Sequence, residues 1–320
     1  MTHTRVRLQP QRVPIRDGTF HNQSMSLAGE NASLAPKFLR WDRVAQLPDA
    51  PVMVFTDMCL DEVLLSRSPT NIAILIEPAA FSTTHYEKAV RLEDHFDAIF
   101  TYDLGYLKAG VQRGAPWLYY PFGGSWIREW GVYEKLALAS IIVSPKMVTE
   151  GHRLRHEIAQ QFSGFVNFVK VWGALEEGQP RFEPKWKALR HYRYSIVVES
   201  ARADYYFTEK LIDCLSQGTV PIYWGCPSID SFFEGEGIIP FETLEDLAHI
   251  LASISEQDYL QRLPAIWSNL ELAKGVHCAE DYLVAEHPWL FEDSEAAATM
   301  RAQRREQGES HAIMESFRQR

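Results

Sequence analysis

The stretch from Tyr192 to Asp230 limits the fold of this chain more than any other. It reads as strand, loop, helix, strand. Tyr194–Val198 is rich in β-branched residues, has strand length, and is followed by polar residues. Thr208 is placed to cap a helix whose first turn carries Glu209. Leu211, Ile212, Cys214 and Leu215 then fall at helical spacing and make one apolar stripe. Gly218 sits where such a helix stops, Val220–Trp224 is a second apolar strand, and Gly225–Pro227 turns the chain. The expectation is a βαβ unit of a parallel sheet with a right-handed crossover.

That topology says where chemistry can occur. Open α/β sheets bind ligands beyond the carboxyl ends of their strands. Glu199 and Ser200 follow the first strand and stand at that edge. The helix starting near Thr208 aims free N–H groups and its positive dipole end at the same crevice, so an anion, above all a phosphate, fits there. Glu209 and Lys210 add an acceptor for ribose hydroxyls and a cation for phosphate oxygens. The plainer reading is an ordinary βαβ unit with a solvated first turn.

The chain has 320 residues, enough for two domains, and 46% hydrophobic residues, enough for two cores. Residues 1–36 are polar and rich in turn formers, with some strand character at Arg5–Leu8 only. From Val52 strands and helices alternate. Strands are expected at Val52–Phe55, Ile72–Ile76, Phe96–Thr101 and Trp117–Tyr120, with helices at Leu60–Leu65 and Tyr86–His95. An aromatic stretch, Trp126–Tyr133, lies between Gly123–Gly124 and Gly131 and reads as the hinge. Beyond it come a strand at Leu138–Val143, a helix from Gly151 to about Phe162 and a strand at Val166–Val171. A short helix at Lys185–His191 leads into the central unit. After that unit a strand is expected at Gly237–Phe241. Helices follow from the Thr243/Asp246 capping pair and at Leu263–Lys274 and Glu280–Glu286. The expected division is residues 1–130, a first parallel-sheet domain; 131–290, a second whose last helix crosses back to the first; and 291–320, a charged helical tail.

Two further features bear on function. Glu77 stands just past a buried strand, and Pro78 keeps it out of the α region. It is either a strand-end acid facing water or a cleft acid; Asp57 and Asp103, at other strand ends, are rivals. Arg153 and Arg155 lie early in the Gly151 helix, where cations oppose the dipole unless an anion is bound. His152 and His156 read as their neighbours.

Some classes are disfavoured. Forty-two acidic against 32 basic residues give a net charge of −10, the wrong sign for a nucleic-acid binder. The four cysteines are scattered and form no CxxC pair, which argues against zinc and for a reducing, cytoplasmic setting. The longest purely apolar run, Ile72–Ile76, is far short of a membrane span, leaving at most peripheral membrane contact. There is no Asp-x-Asp pair and no P-loop.

The central unit also resembles a known motif. Val198-Glu199-Ser200, then Tyr206-Phe207-Thr208-Glu209-Lys210-Leu211, Val220-Pro221-Ile222 and Gly225-Cys226-Pro227-Ser228 resemble, in order, the donor-binding motif of the α1,3-fucosyltransferases, glycosyltransferase family 10. The resemblance implies an α/β GT-B-like fold, two Rossmann-type domains facing across a cleft, with residues 1–130 the acceptor side and 131–290 the nucleotide-sugar donor side. It implies an inverting glycosyltransferase moving L-fucose from GDP-fucose to a glycan hydroxyl. Glu77 would be the general base; Arg155, with Arg153 second, would contact the donor diphosphate. Glu199, Ser200, Tyr206, Thr208, Glu209 and Lys210 would complete the donor site. No metal would be obligatory, a divalent cation at most stimulating. Ser200 stands where the family usually has Asn, which keeps open a transferase of the same fold using another nucleotide sugar; a catalytically inactive glycan- or nucleotide-binding protein is the third reading.

Overall fold

The computed structural model describes residues 10–17, 36–120, 124–163, 169–176, 184–292 and 299–300. The first half contains β1 (Gln11–Arg16), β2 (Leu39–Arg43), β3 (Val52–Thr56), β4 (Thr70–Ile74), α1 (Thr83–Arg91), β5 (Ala98–Thr101), α2 (Leu104–Gln112) and β6 (Trp117–Tyr119). The second contains β7 (Ala137–Val143), α3 (Glu150–Phe162), β8 (Val169–Gly173), β9 (Tyr192–Val198), α4 (Glu209–Ser216), β10 (Val220–Trp224) and β11 (Ile239–Pro240). Four helices follow: α5 (Leu244–Ser253), α6 (Glu256–Gln261), α7 (Leu263–Val276) and α8 (Ala279–Glu286).

The strands form two sheets, in the order β2-β1-β3-β4-β5-β6 and β11-β10-β9-β7-β8. Every pairing in both is parallel. All five residues of β3 and all five of β10 are buried, as strands covered on both faces require. In the first sheet, Val54, Ile72, Ile74 and Phe100 face one way, while Met53, Phe55, Ala73 and Ile99 face α1 and α2. Beyond α7 the chain returns: Ala279, Leu283, Trp289, Leu290 and Phe291 pack into the first sheet's core, completing it from the far end of the sequence.

The N-terminal region departs from the loop expected of it. Residues 11–16 form β1, inside the first sheet, with Val13 and Ile15 buried between exposed or half-buried neighbours. Pro10 and Pro14 read as turn formers, and the short alternation around Pro14 was hidden by them. The strand expected at Arg5–Leu8, residues 166–168 of the Val166–Val171 strand and nearly all of the 291–320 tail lie outside the described residues. Two helices had no expectation. The first, α2, is capped by Asp103, whose side chain accepts from the N–H groups of Gly105 and Tyr106. The second is α6, a six-residue helix capped by Ser255.

Candidate active site

The carboxyl end of β9 is held by an ion-and-hydroxyl lock. Glu199, fully buried, accepts Thr208 N–H at 2.9 Å and the Thr208 hydroxyl at 2.6 Å. Thr208 thereby caps α4 and fixes its first turn against the strand end. Lys210 folds back over the cap, with Nζ 3.0 Å from the Thr208 hydroxyl, 3.6 Å from Glu199 and 3.4 Å from Glu209. Glu199 is therefore the floor of the site, both oxygens spent inside the protein. Glu209 remains at the surface of the cluster. Burial alone would raise its pKa, but Lys210 and Lys185 outweigh that and hold it at about 2.

Helix α3 meets this lock from the side. A Cβ on Gly151 would stand 1.8 Å from the Glu199 carbonyl oxygen, so only glycine lets α3 start directly on the end of β9. Its N–H reaches the Ser200 carbonyl at 3.3 Å. The close approach carries Arg155 inward: the residue is 6% exposed, and among the described residues neither Nε nor Nη2 has a hydrogen-bond partner. Burial lowers its pKa, with Glu199, Tyr206 and Glu209 pulling the other way. Arg153 goes elsewhere, donating to the carbonyls of Met147 and Val148 from an exposed position. Of the two arginines, Arg155 alone joins the cluster.

Tyr206 closes the gap toward the first domain. It is 2% exposed, shares a hydrogen bond with Ser200, and stacks on Tyr102 with ring centroids 4.2 Å apart. The neighbouring Tyr205, at φ +62°, receives a hydrogen bond from Tyr119 on its carbonyl at 3.1 Å.

Glu77 faces the cluster from the first sheet. Burial pushes its carboxyl above the ordinary range; Lys146 and Lys210 of the second domain oppose that, and Glu209 reinforces it. These couplings place Glu77 across from the α4 N-terminus. The rival acids have other employment. Asp103 is spent on capping α2. Asp57 is fully buried at φ +30° and accepts the Ile76 N–H at 3.0 Å, bracing the strand end that carries Glu77. Burial, ahead of the nearby Glu77, raises its pKa well above normal.

Several members of this group gave no sequence signal. Lys185 sits 3.0 Å from Asp213 and 3.6 Å from Glu209, with Nζ 4.4 Å from the Trp126 ring centroid. Asp213 also accepts from Ser125 and Trp126, tying the aromatic hinge to α4. Lys146 lies over Phe81, and His152 meets the same ring edge-on. No motif spacing links these residues; they meet only because two sheets face each other. Among the described residues no group of His, Cys, Asp or Glu is arranged to hold a metal ion.

An unpaired buried guanidinium at a capped helix start, with an acid opposite, is the arrangement a phosphate-leaving transferase needs. Residues 132–270, which hold Arg155 and the whole α4 lock, match the family model "Glycosyltransferase family 10 (fucosyltransferase) C-term". The similarity to glycosyltransferase family 10 thus falls on the region that carries the site. An α-(1,4)-fucosyltransferase of Arabidopsis thaliana is 32% identical over 74 residues, 21% of this chain and 18% of that one. A GDP-fucose protein O-fucosyltransferase 3 of Danio rerio is 30% identical over 114 residues, 34% of this chain and 24% of that one. The matches thus span a quarter or less of these relatives' length. A crystal structure of an α1,3-fucosyltransferase with GDP superposes with a TM-score of 0.52, at 13% identity, over 92% of this chain and 93% of that one. The fold is accordingly of the GT-B kind, and the stretch matched by the family model contains the second sheet. The first sheet, with Glu77, lies outside the stretch matched by the family model.

Proposed function

We propose that this chain is an inverting fucosyltransferase, moving L-fucose from GDP-fucose to a hydroxyl of a glycan acceptor. The observation that carries the reading is Arg155: a buried cation with two nitrogens unpartnered, one helix start away from Lys210 and opposite a carboxylate of raised pKa. A diphosphate would complete it. Arg155, Lys210 and the α4 N-terminus would stabilise the leaving GDP, replacing a metal in that role. Glu209, ionised throughout the physiological range, would accept from the ribose hydroxyls. Tyr206 walls the donor side. Glu77 would take the proton of the acceptor hydroxyl as it attacks the anomeric carbon, a contribution of about 10²–10⁴-fold. One displacement inverts the configuration. The four cysteines, all buried and unpaired, suit a reducing cytoplasmic setting.

The test is a panel of nucleotide sugars, with and without glycan acceptors, assayed for released nucleotide and for transferred sugar. GDP-fucose should be the donor consumed, and the linkage formed should be of opposite anomeric configuration to the donor. Turnover of a different nucleotide sugar would replace the donor assignment. Absence of both turnover and GDP binding would remove the transferase reading.

A further inference from the structure

Helix α3 begins with an unusual cap. In a capping box the third helical residue is ordinarily Glu or Gln, whose side chain accepts the N–H of the capping residue. Here that place is taken by His152: its Nδ1 lies 3.2 Å from the Thr149 backbone nitrogen and 2.8 Å from the Thr149 hydroxyl. A backbone N–H can only donate, so Nδ1 is the unprotonated nitrogen and Nε2 carries the hydrogen. The ring is 5% exposed, and among the described residues nothing accepts from Nε2. The cap therefore fixes both the tautomer and the direction of one neutral donor.

Its surroundings say what that donor meets. Arg155 lies one turn further along α3, and Lys210 and Lys146 are close enough to act on the ring. Phe81 of the first domain lies against it, centroids 6.4 Å apart, and Lys146 covers that same phenylalanine while acting on Glu77. His152 thus shares two of its cationic neighbours, Lys146 and Lys210, with Glu77, the acid assigned to the acceptor. We infer that His152 reads a hydroxyl of the transferred sugar, donating to it from Nε2. Burial first, then the three cations, hold the imidazole neutral, with a pKa of about 3. A neutral N–H among cations adds little to phosphate binding but discriminates hydroxyl positions, because a donor that a bound sugar shuts off from water is costly if left unpaired. This inference rests on the donor-site reading above.

His152→Gln is the test. Gln at the third position keeps the capping box, so the helix start is preserved while the imidazole Nε2–H is removed. Melting with GDP should match the wild type, because the diphosphate contacts are untouched. Turnover of GDP-fucose should fall about tenfold or more. Among singly deoxygenated GDP-fucose analogues, one should be turned over equally by the wild type and H152Q, marking the hydroxyl read. Full turnover of GDP-fucose by H152Q, or a loss of selectivity at no single position, overturns the inference. So does loss of GDP binding by H152Q, which would put His152 on the diphosphate. If the wild type itself fails to bind GDP, the donor-site reading falls and this one falls with it.

Discussion

Replacing Arg155 by Met should move stability in opposite directions with and without ligand. In the free protein the guanidinium is 6% exposed, and its Nε and Nη2 carry three N–H groups with no acceptor. Glu199 and Glu209 offset part of the cost through space, but no hydrogen bond closes on the charge. Swapping a poorly compensated buried ion for an apolar chain of similar volume is typically neutral or stabilising by about 1–4 kcal/mol. At roughly 2 °C per kcal/mol for a chain of this size, Arg155→Met should melt at the wild-type temperature or several degrees above it. With GDP the order reverses. At 100 times its dissociation constant, GDP should stabilise the wild type by about 2.7 kcal/mol. Loss of a charge-assisted diphosphate contact, about 2–3 kcal/mol, raises that constant roughly 30- to 150-fold. At the same GDP concentration the variant should then gain only about 0.3–0.9 kcal/mol. Differential scanning fluorimetry with and without GDP reads both numbers. A variant that melts well below the wild type while keeping the full GDP response would show Arg155 to be a structural cation and refute the reasoning.

Other outcomes follow from the same geometry. Glu77→Gln should keep GDP binding and lose about 10²–10⁴-fold in transfer rate. In the wild type, transfer should fall as pH drops through the raised Glu77 pKa, above the ordinary 4.5, and the variant should lack that limb; an unchanged pH profile would remove Glu77 as base. Glu209→Ala should abolish most of the GDP-induced shift in melting temperature. Because Glu209 ionises at about 2 when folded against an ordinary 4.5, its stabilising contribution is present above pH 4.5 and lost as pH falls toward 2; urea titrations across that range should show the wild type, not the variant, losing it. Gly151→Ala puts a Cβ 1.8 Å from the Glu199 carbonyl and should cost at least about 3 kcal/mol by denaturant unfolding, with GDP affinity lost as well; a fully stable variant would mean that α3 does not seat on β9.

What the sequence disclosed was whatever local chemistry encodes. The Thr208 cap, the α4 stripe and the Gly218 stop are written within a dozen residues, and each stands where the pattern put it. The same holds for the helix expected from Gly151 to about Phe162, observed as α3, and for the parallel pairing of both sheets. β1 was hidden because Pro14 in its middle speaks against a central strand. At the site, pattern marks which residues stand at strand ends but not which way they turn. Arg153 and Arg155 are two apart in sequence and differ in fate by 200° of helix rotation, one exposed on the Met147–Val148 loop and one buried. Glu199 and Glu209 look alike as strand-end and helix-start acids. Yet the first is consumed by Thr208, while the second is kept ionised by two lysines, one of which, Lys185, opens a segment that read only as a short connecting helix.

The division of labour between those two acids bears on how such a site stays both folded and reactive. Glu199 satisfies itself within βαβ and needs no ligand, so the α4 N-terminus is rigid before anything binds. Arg155 is the reverse: among the described residues nothing hydrogen-bonds its Nε and Nη2, so on the proposed reading its desolvation cost would be met when an anion enters. Setting an unsatisfied cation on a satisfied frame makes the free energy of ligand binding fall on one side chain, at the seam between the domains. Tyr206 then couples that seam to the first sheet through Tyr102, so an anion drawn to Arg155 meets a wall already aligned with Glu77. If the frame were loose, anion binding would be spent on ordering α4; with Thr208 locked, the proposed transferase could use it to hold the leaving group in the geometry of transfer.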